Sequence, residues 1–303
     1  MMRKMLKPPS LSRGDMVALI APAGFVERDD IETAIRTLES WGLEVSRGEH
    51  LYERHGIFAG TDKQRLSDLQ RALDDPGIKA VICARGGYGM SRLIDKIDFS
   101  SFRKSPKWIT GYSDITVLHL ILNCRSRIST LHGEMPLNYH KLEAGSESLE
   151  TLRKALFVGP QDYEWETGSL REGKTGGVLA GGNLSLIYNL MAGGMKRCLK
   201  GKILFIEEKG EYLYSFDRMI SGLALAGVFR DIRGLIIGGL TDMKESDAEY
   251  SCGPVDIIMD CVKKYSYPVA FDFPAGHITD NRALVLGAPV SFSVRGGTAS
   301  IRY

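Results

Sequence analysis

Between residues 15 and 125, short apolar runs alternate with amphipathic segments, and this alternation limits what the chain can fold into. The series opens with "MVALIAPAG" and continues with "DDIETAIRTLESWG", whose Ile31, Ala34, Ile35 and Leu38 recur at helical spacing before Gly42. Thr61-x-x-Gln64 has the form of a capping box ahead of Leu66, Leu69 and Leu73, and Asp75-Pro76-Gly77 ends that helix before the strand "KAVICARGG". A third strand, "KWITG", runs into "DITVLHLILNC". Apolar strands separated by amphipathic helices predict a parallel sheet covered on both faces.

The 303 residues are enough for two domains. Around residues 141 to 175 the chain turns polar and glycine-containing, and a second set of strands starts at "GVLAGGN". The expected division is an N-terminal α/β domain over 1–150, a linker over 151–175 and a C-terminal domain over 176–303. In that last part "KILFIEE", a helical "DRMISGLALAG", "GLIIGGL" and "PVSFSVRGGTASIRY" read as mixed α+β ending in antiparallel strands.

A composition of 44% hydrophobic and 25% charged residues describes globular material. The net charge of +2, with no basic run beyond "MMRKMLK", argues against a nucleic-acid surface and for a small-molecule or peptide partner. The apolar run after that basic start reads as a first strand rather than a signal segment, and no stretch approaches the roughly 20 residues that cross a bilayer. The five cysteines are an odd count without a C-x-x-C pair, which argues against a disulfide framework or a zinc site, and a reducing cytoplasm is the expected setting.

In open parallel sheets reactive groups gather at the carboxyl ends of strands, here "APAG", "ARGGYG" and "GYSD". Ser113 stands in the last of these, where a strand turns into a helix. It is either a helix cap or a nucleophile whose following turn supplies N–H groups to an oxyanion. The nucleophile-elbow pattern wants glycine two residues on, and the chain has Ile115.

A serine nucleophile needs a base and an acid to orient it. His119 lies six residues along the helix, about 9 Å up and on another face, too far to serve. His132 in "TLHGEM" and His277 in the Pro/Gly-flanked loop "FPAGHITDN" remain candidates, and Glu207 or Glu208 in "KILFIEEKGEYLY" is the candidate acid. Gly86 or Gly87 could bring a backbone N–H to a carbonyl, and Arg85 is either a carboxylate ligand or a surface ion-pair partner. "RGGYGMSR" fails the dinucleotide fingerprint, "GGVLAGGN" lacks the lysine of a P-loop, and there is no H-E-x-x-H helix. Chemistry without cofactor or metal is expected.

Taken in order, "FAGTDKQRLSDLQRALDDPGIKAVICARGGYG", "GYSDITVLH", "LHGEMP", "GGNLSL", "ILFIEEKGEYLYSFDRM" and "FPAGHITDNRALVLGA" resemble the LD-carboxypeptidase family of serine peptidases over nearly the whole chain. The resemblance implies a Ser113–Glu207–His277 triad and an oxyanion hole from the backbone N–H groups of Asp114 and Gly87. It also implies a flavodoxin-like N-terminal domain, a smaller C-terminal domain like an incomplete β-barrel, and a homodimer. The implied activity is release of the terminal D-alanine of murein tetrapeptides by cutting an L,D amide bond, in peptidoglycan recycling. Arg85 is the candidate clamp for the substrate's carboxylate. Glu134 stands where the family commonly has proline, and "GHITDN" is more polar than the usual loop. A same-family alternative is an amidase for peptidyl nucleotides of the microcin C type, relatives that typically carry extra loop sequence and an aromatic to stack a nucleobase; this chain shows no obvious insertion, and Trp165, in the expected linker, could be either a stacking residue or a linker residue. A non-catalytic muropeptide-binding protein is the third reading.

Overall fold

The structure is a computed structural model that describes residues 5–143, 145–168, 170–246 and 250–303. The chain forms two compact units, Met1–Pro160 with Thr279–Gly287, and Gln161–Ile278 with Ala288–Tyr303.

In the first unit β1 (Met16–Ile20), β2 (Glu44–Arg47), β3 (Ile78–Cys83), β4 (Trp108–Gly111) and β5 (Thr130–His132) pair in parallel, in the order β2-β1-β3-β4-β5. That is the flavodoxin-like order, and its switch point lies between β1 and β3. A sixth strand, Leu284–Leu286, joins antiparallel at the β5 edge. The central strands are buried almost end to end because helices cover them. Helix α1 (Arg28–Ser40) buries Ile31, Ala34, Ile35 and Leu38, the stripe its spacing predicts. Helix α2 (Asp62–Asp74) starts with the expected capping box, Thr61 accepting from the Gln64 N–H while the Gln64 side chain accepts from the Thr61 N–H. Right-handed crossovers put α1 on the face opposite α2. The short α3 (Ser100–Lys104), α4 (Thr116–Ile121) and α5 (Glu147–Phe157) complete the unit.

The second unit holds β6 (Tyr163–Glu166), β7 (Leu170–Arg171), β8 (Gly173–Asn183), β9 (Lys202–Lys209), β10 (Gly234–Thr241) and β11 (Val269–Ala270). After Leu284–Leu286, which is β12, it adds the hairpin β13 (Pro289–Arg295) and β14 (Thr298–Arg302). The sheet order is β6-β14-β13-β8-β9-β10-β11-β7, with β8 to β11 parallel and the flanks antiparallel. Its two edges, β6 and β7, are separated by residues 167–169 alone, so they lie within roughly 14 Å of each other. The sheet therefore curls on itself without closing, the incomplete barrel the resemblance implies. Helices α6 (Leu184–Ala192), α7 (Leu213–Leu225), α8 (Val228–Asp231) and α9 (Pro254–Val262) connect its strands.

The stretch expected to be a linker, 151–175, holds regular elements over much of its described length. It contains most of α5, both edge strands and the start of β8, and residues 279–287 return to the first unit. Among the described residues no helix is long and apolar enough to cross a membrane.

Candidate active site

Ser113 follows β4 by two residues and opens a single 3-10 turn, Ser113–Ile115, that runs into α4. Its φ is +61°, a left-handed conformation that costs a non-glycine residue of the order of 1 kcal/mol. A capping serine would sit in the β region with its oxygen bonded to an N–H further on. Here no side-chain cap bond is made at either helix start, and among the described residues Ser113 Oγ has no hydrogen-bond partner. The half-buried hydroxyl is held out on a sharp strand-to-helix turn, which is how a nucleophile is presented.

Among the described residues the Asp114 N–H likewise has no backbone partner. A Cβ built on Gly86 would fall 3.0 Å from Ser113 Oγ and 3.3 Å from Asp114 N. Glycine at this position therefore leaves open a point within reach of both the serine oxygen and the N–H that follows it. Gly87, next in the loop, is exposed with φ +97°. The Asp114 carboxyl is buried, which raises it to about 6 against the pull of the Met90 N–H and of Arg65.

In the second unit Glu207 stands near the carboxyl end of β9, and one of its oxygens lies 2.7 Å from His277 Nδ1. The same oxygen accepts the His277 backbone N–H at 3.3 Å, while the other is buried without a hydrogen-bond partner among the described residues. Because an ionised carboxylate only accepts, Nδ1 carries the proton and Nε2 is left as the basic nitrogen of the neutral ring. Burial by itself lowers the His277 pKa, but the hydrogen bond and charge of Glu207 outweigh it and the net shift is upward. Gly276 makes the approach possible, since a Cβ there would lie 2.7 Å from the Glu207 Cβ. Thr241 Oγ1 donates to the His277 carbonyl at 3.1 Å and fixes the loop from β10.

The remaining candidates divide clearly. His119 is core, its Nε2 2.8 Å from the Gly111 carbonyl and its pKa lowered to about 4 by burial. His132 is buried on β5 with its ring 5.7 Å from Tyr112. Glu208 does not face solvent: it accepts from Asn183 Nδ2, the Ser185 N–H and the Lys209 N–H, holding the start of α6. Trp165 is a core residue of β6, packed on Phe273 and Phe292 and donating to the Phe271 carbonyl, so it offers no face to a nucleobase. Glu134 accepts from the Met135 N–H and from Asn138, a structural role that a proline there could not fill. Arg85 is half-buried, donating to the Phe25 carbonyl at 2.7 Å with its guanidinium 5.2 Å from the Phe25 ring. Two residues escaped the sequence reading: the Asp114 side chain, and Arg65, which stands four residues before Leu69 on the inward stripe of α2 and is buried to 1% exposure. Among the described residues no group of three or more His, Cys, Asp or Glu side chains could hold a metal ion.

The family model of the LD-carboxypeptidase N-terminal domain matches residues 17–133, and that of the C-terminal domain matches residues 176–292. The chain belongs to the LD-carboxypeptidase family. It is 35% identical to the probable murein peptide carboxypeptidase of Bacillus subtilis (strain 168), over 97% of this chain and 94% of that one. The crystal structure of muramoyltetrapeptide carboxypeptidase from Oxalobacter formigenes superposes with a TM-score of 0.85 at 27% identity, covering 94% of this chain and 97% of that one. MccF, solved in complex with glutamyl sulfamoyl guanosine, gives 0.86 at 19% identity over 99% of both chains, a likeness of fold alone. The chain is accordingly an enzyme of the carboxypeptidase type, and a second relative, the murein tetrapeptide carboxypeptidase of Pseudomonas aeruginosa, is 33% identical over 89% of this chain and 91% of that one.

Proposed function

We propose that this enzyme is a serine carboxypeptidase that releases the terminal D-alanine of murein tetrapeptides, with Ser113, Glu207 and His277 acting together. The observation that carries the reading is the left-handed Ser113 at the end of β4, with its hydroxyl and the following N–H facing the opening left by Gly86. His277 Nε2 takes the serine proton as Oγ attacks the L,D amide carbonyl. The Asp114 and Gly87 N–H groups stabilise the oxyanion, and the proton passes to the leaving amine of D-alanine. Water then hydrolyses the acyl-serine by the same route. Glu207 keeps Nδ1 protonated and stabilises the imidazolium.

Arg85 binds the substrate's terminal carboxylate in this scheme. Its support is a half-buried guanidinium beside Gly86 that forms no ion pair with a carboxylate among the described residues. The recycling role, the cytoplasmic setting and a homodimeric state belong to the same proposal and rest on the family resemblance. Treating the enzyme with a serine-directed fluorophosphonate and mapping the adduct by mass spectrometry tests the nucleophile. Label on the peptide containing Ser113, absent in Ser113→Ala, is expected; label elsewhere, or none on folded protein, counts against the assignment.

A further inference from the structure

Three loops gather at the carboxyl ends of β1, β3 and β4, and two buried charged side chains tie them. Asp114 Oδ2 accepts the Met90 N–H at 2.8 Å, so the serine turn grips the far end of the β3 loop. Arg65 reaches from α2, where Nη1 donates to the Pro22 carbonyl in the β1 loop at 2.8 Å and Nη2 pairs with Asp62 at 2.5 Å. Its guanidinium lies 4.9 Å from the Phe58 ring. It is also seated directly against the β3 loop, since a Cβ on Gly89 would fall 2.3 Å from Nη1, and Gly89 has φ +148°. The Gly24 N–H donates to the Gly86 carbonyl at 2.8 Å and closes the set. Gly86 and Gly87 are thus pinned on both sides, beside Ser113.

This arrangement is not one that stability alone would select. Among the described residues Asp114 Oδ1 and Arg65 Nε are both buried without hydrogen-bond partners, and burying charge at the cost of unsatisfied atoms is less favourable than apolar packing of the same volume. An apolar pair, however, could not hold the Met90 N–H or the Pro22 carbonyl. We propose that Asp114 and Arg65 are positioning residues, which set the 84–90 loop against the Ser113 turn so that the Gly87 and Asp114 N–H groups converge on one oxyanion. The inference rests on the serine-peptidase reading above.

Three variants of the full chain test it. Asp114→Ala removes the acceptor for the Met90 N–H, Asp114→Asn keeps one, and Gly89→Ala drives a methyl group against Arg65 without touching Asp114. Asp114→Ala and Gly89→Ala are expected to lower kcat about 100-fold, the scale of losing one oxyanion donor, with KM nearly unchanged. Their affinity for a peptide boronate that mimics the tetrahedral adduct should fall in parallel. Asp114→Asn should recover to within about tenfold of wild type, since the hydrogen bond is kept. Wild-type kcat per folded site in Asp114→Ala, or wild-type boronate affinity in Gly89→Ala, overturns the positioning role. Should Asp114→Ala fail to fold, Gly89→Ala reads the same loop. Retained turnover in Ser113→Ala would instead sink the serine-peptidase reading itself.

Discussion

A histidine that takes a proton from a serine must be neutral when the substrate arrives. Burial favours neutrality at His277, but the Glu207 carboxylate 2.7 Å from Nδ1 favours the imidazolium and raises the pKa. As pH falls through that raised value the base is lost, so the acid limb of kcat/KM should lie above the ordinary histidine value of about 6.5. Glu207→Gln removes the charge, and the limb should move to lower pH while kcat drops by up to about 10⁴-fold, the cost of the matching change in a serine-peptidase triad. A pH–rate profile that keeps its acid limb in Glu207→Gln would mean that Glu207 does not govern His277. The candidate residues are legible in "GYSD", "FIEE" and "AGH", each at a strand end or in a loop, and it is the family resemblance that proposes them as nucleophile, acid and base. What holds them is not. The bond from Asp114 to Met90 spans 24 positions and that from Arg65 to Pro22 spans 43, and contacts so far apart leave no periodic trace in a chain read locally.

At the scale of elements, β1, β3 and β4 can be read from the sequence because each is buried on both faces over most of its length and so appears as a mainly apolar run. The edge strand β6 is different. Its four residues, "YEWE", alternate buried and exposed, a pattern too short to stand out inside a polar stretch, so a strand is hidden where the composition suggests a linker. Trp165 on that strand packs edge-on against Phe273, with ring centroids 4.9 Å apart. Trp165→Ala should cost about 3–5 kcal/mol by urea denaturation. KM per folded enzyme is expected to be unchanged; a raised KM in a variant of wild-type stability would instead favour a role at the substrate.

For the whole molecule, the chain path matters more than any one element. The chain leaves the first unit at residue 160 and comes back to it for residues 279–287. That return supplies the strand beside β5, and Ser148 Oγ on α5 donates to the Thr279 carbonyl and accepts the Asn281 N–H. Thr151 Oγ1 accepts the Ala283 N–H in the same way. A fragment of residues 1–160 therefore exposes the β5 edge, and it should aggregate in light scattering at concentrations where the full chain does not. A monomeric fragment that unfolds cooperatively would contradict that view of the unit. The proposed peptidase chemistry is tested most directly by incubating the enzyme and Ser113→Ala with a UDP-linked muramoyl tetrapeptide and following free D-alanine by mass spectrometry. Release by the wild type and none by the folded variant is the expected result. Release by both, or by neither while an aminoacyl sulfamoyl nucleoside is cleaved, would contradict it.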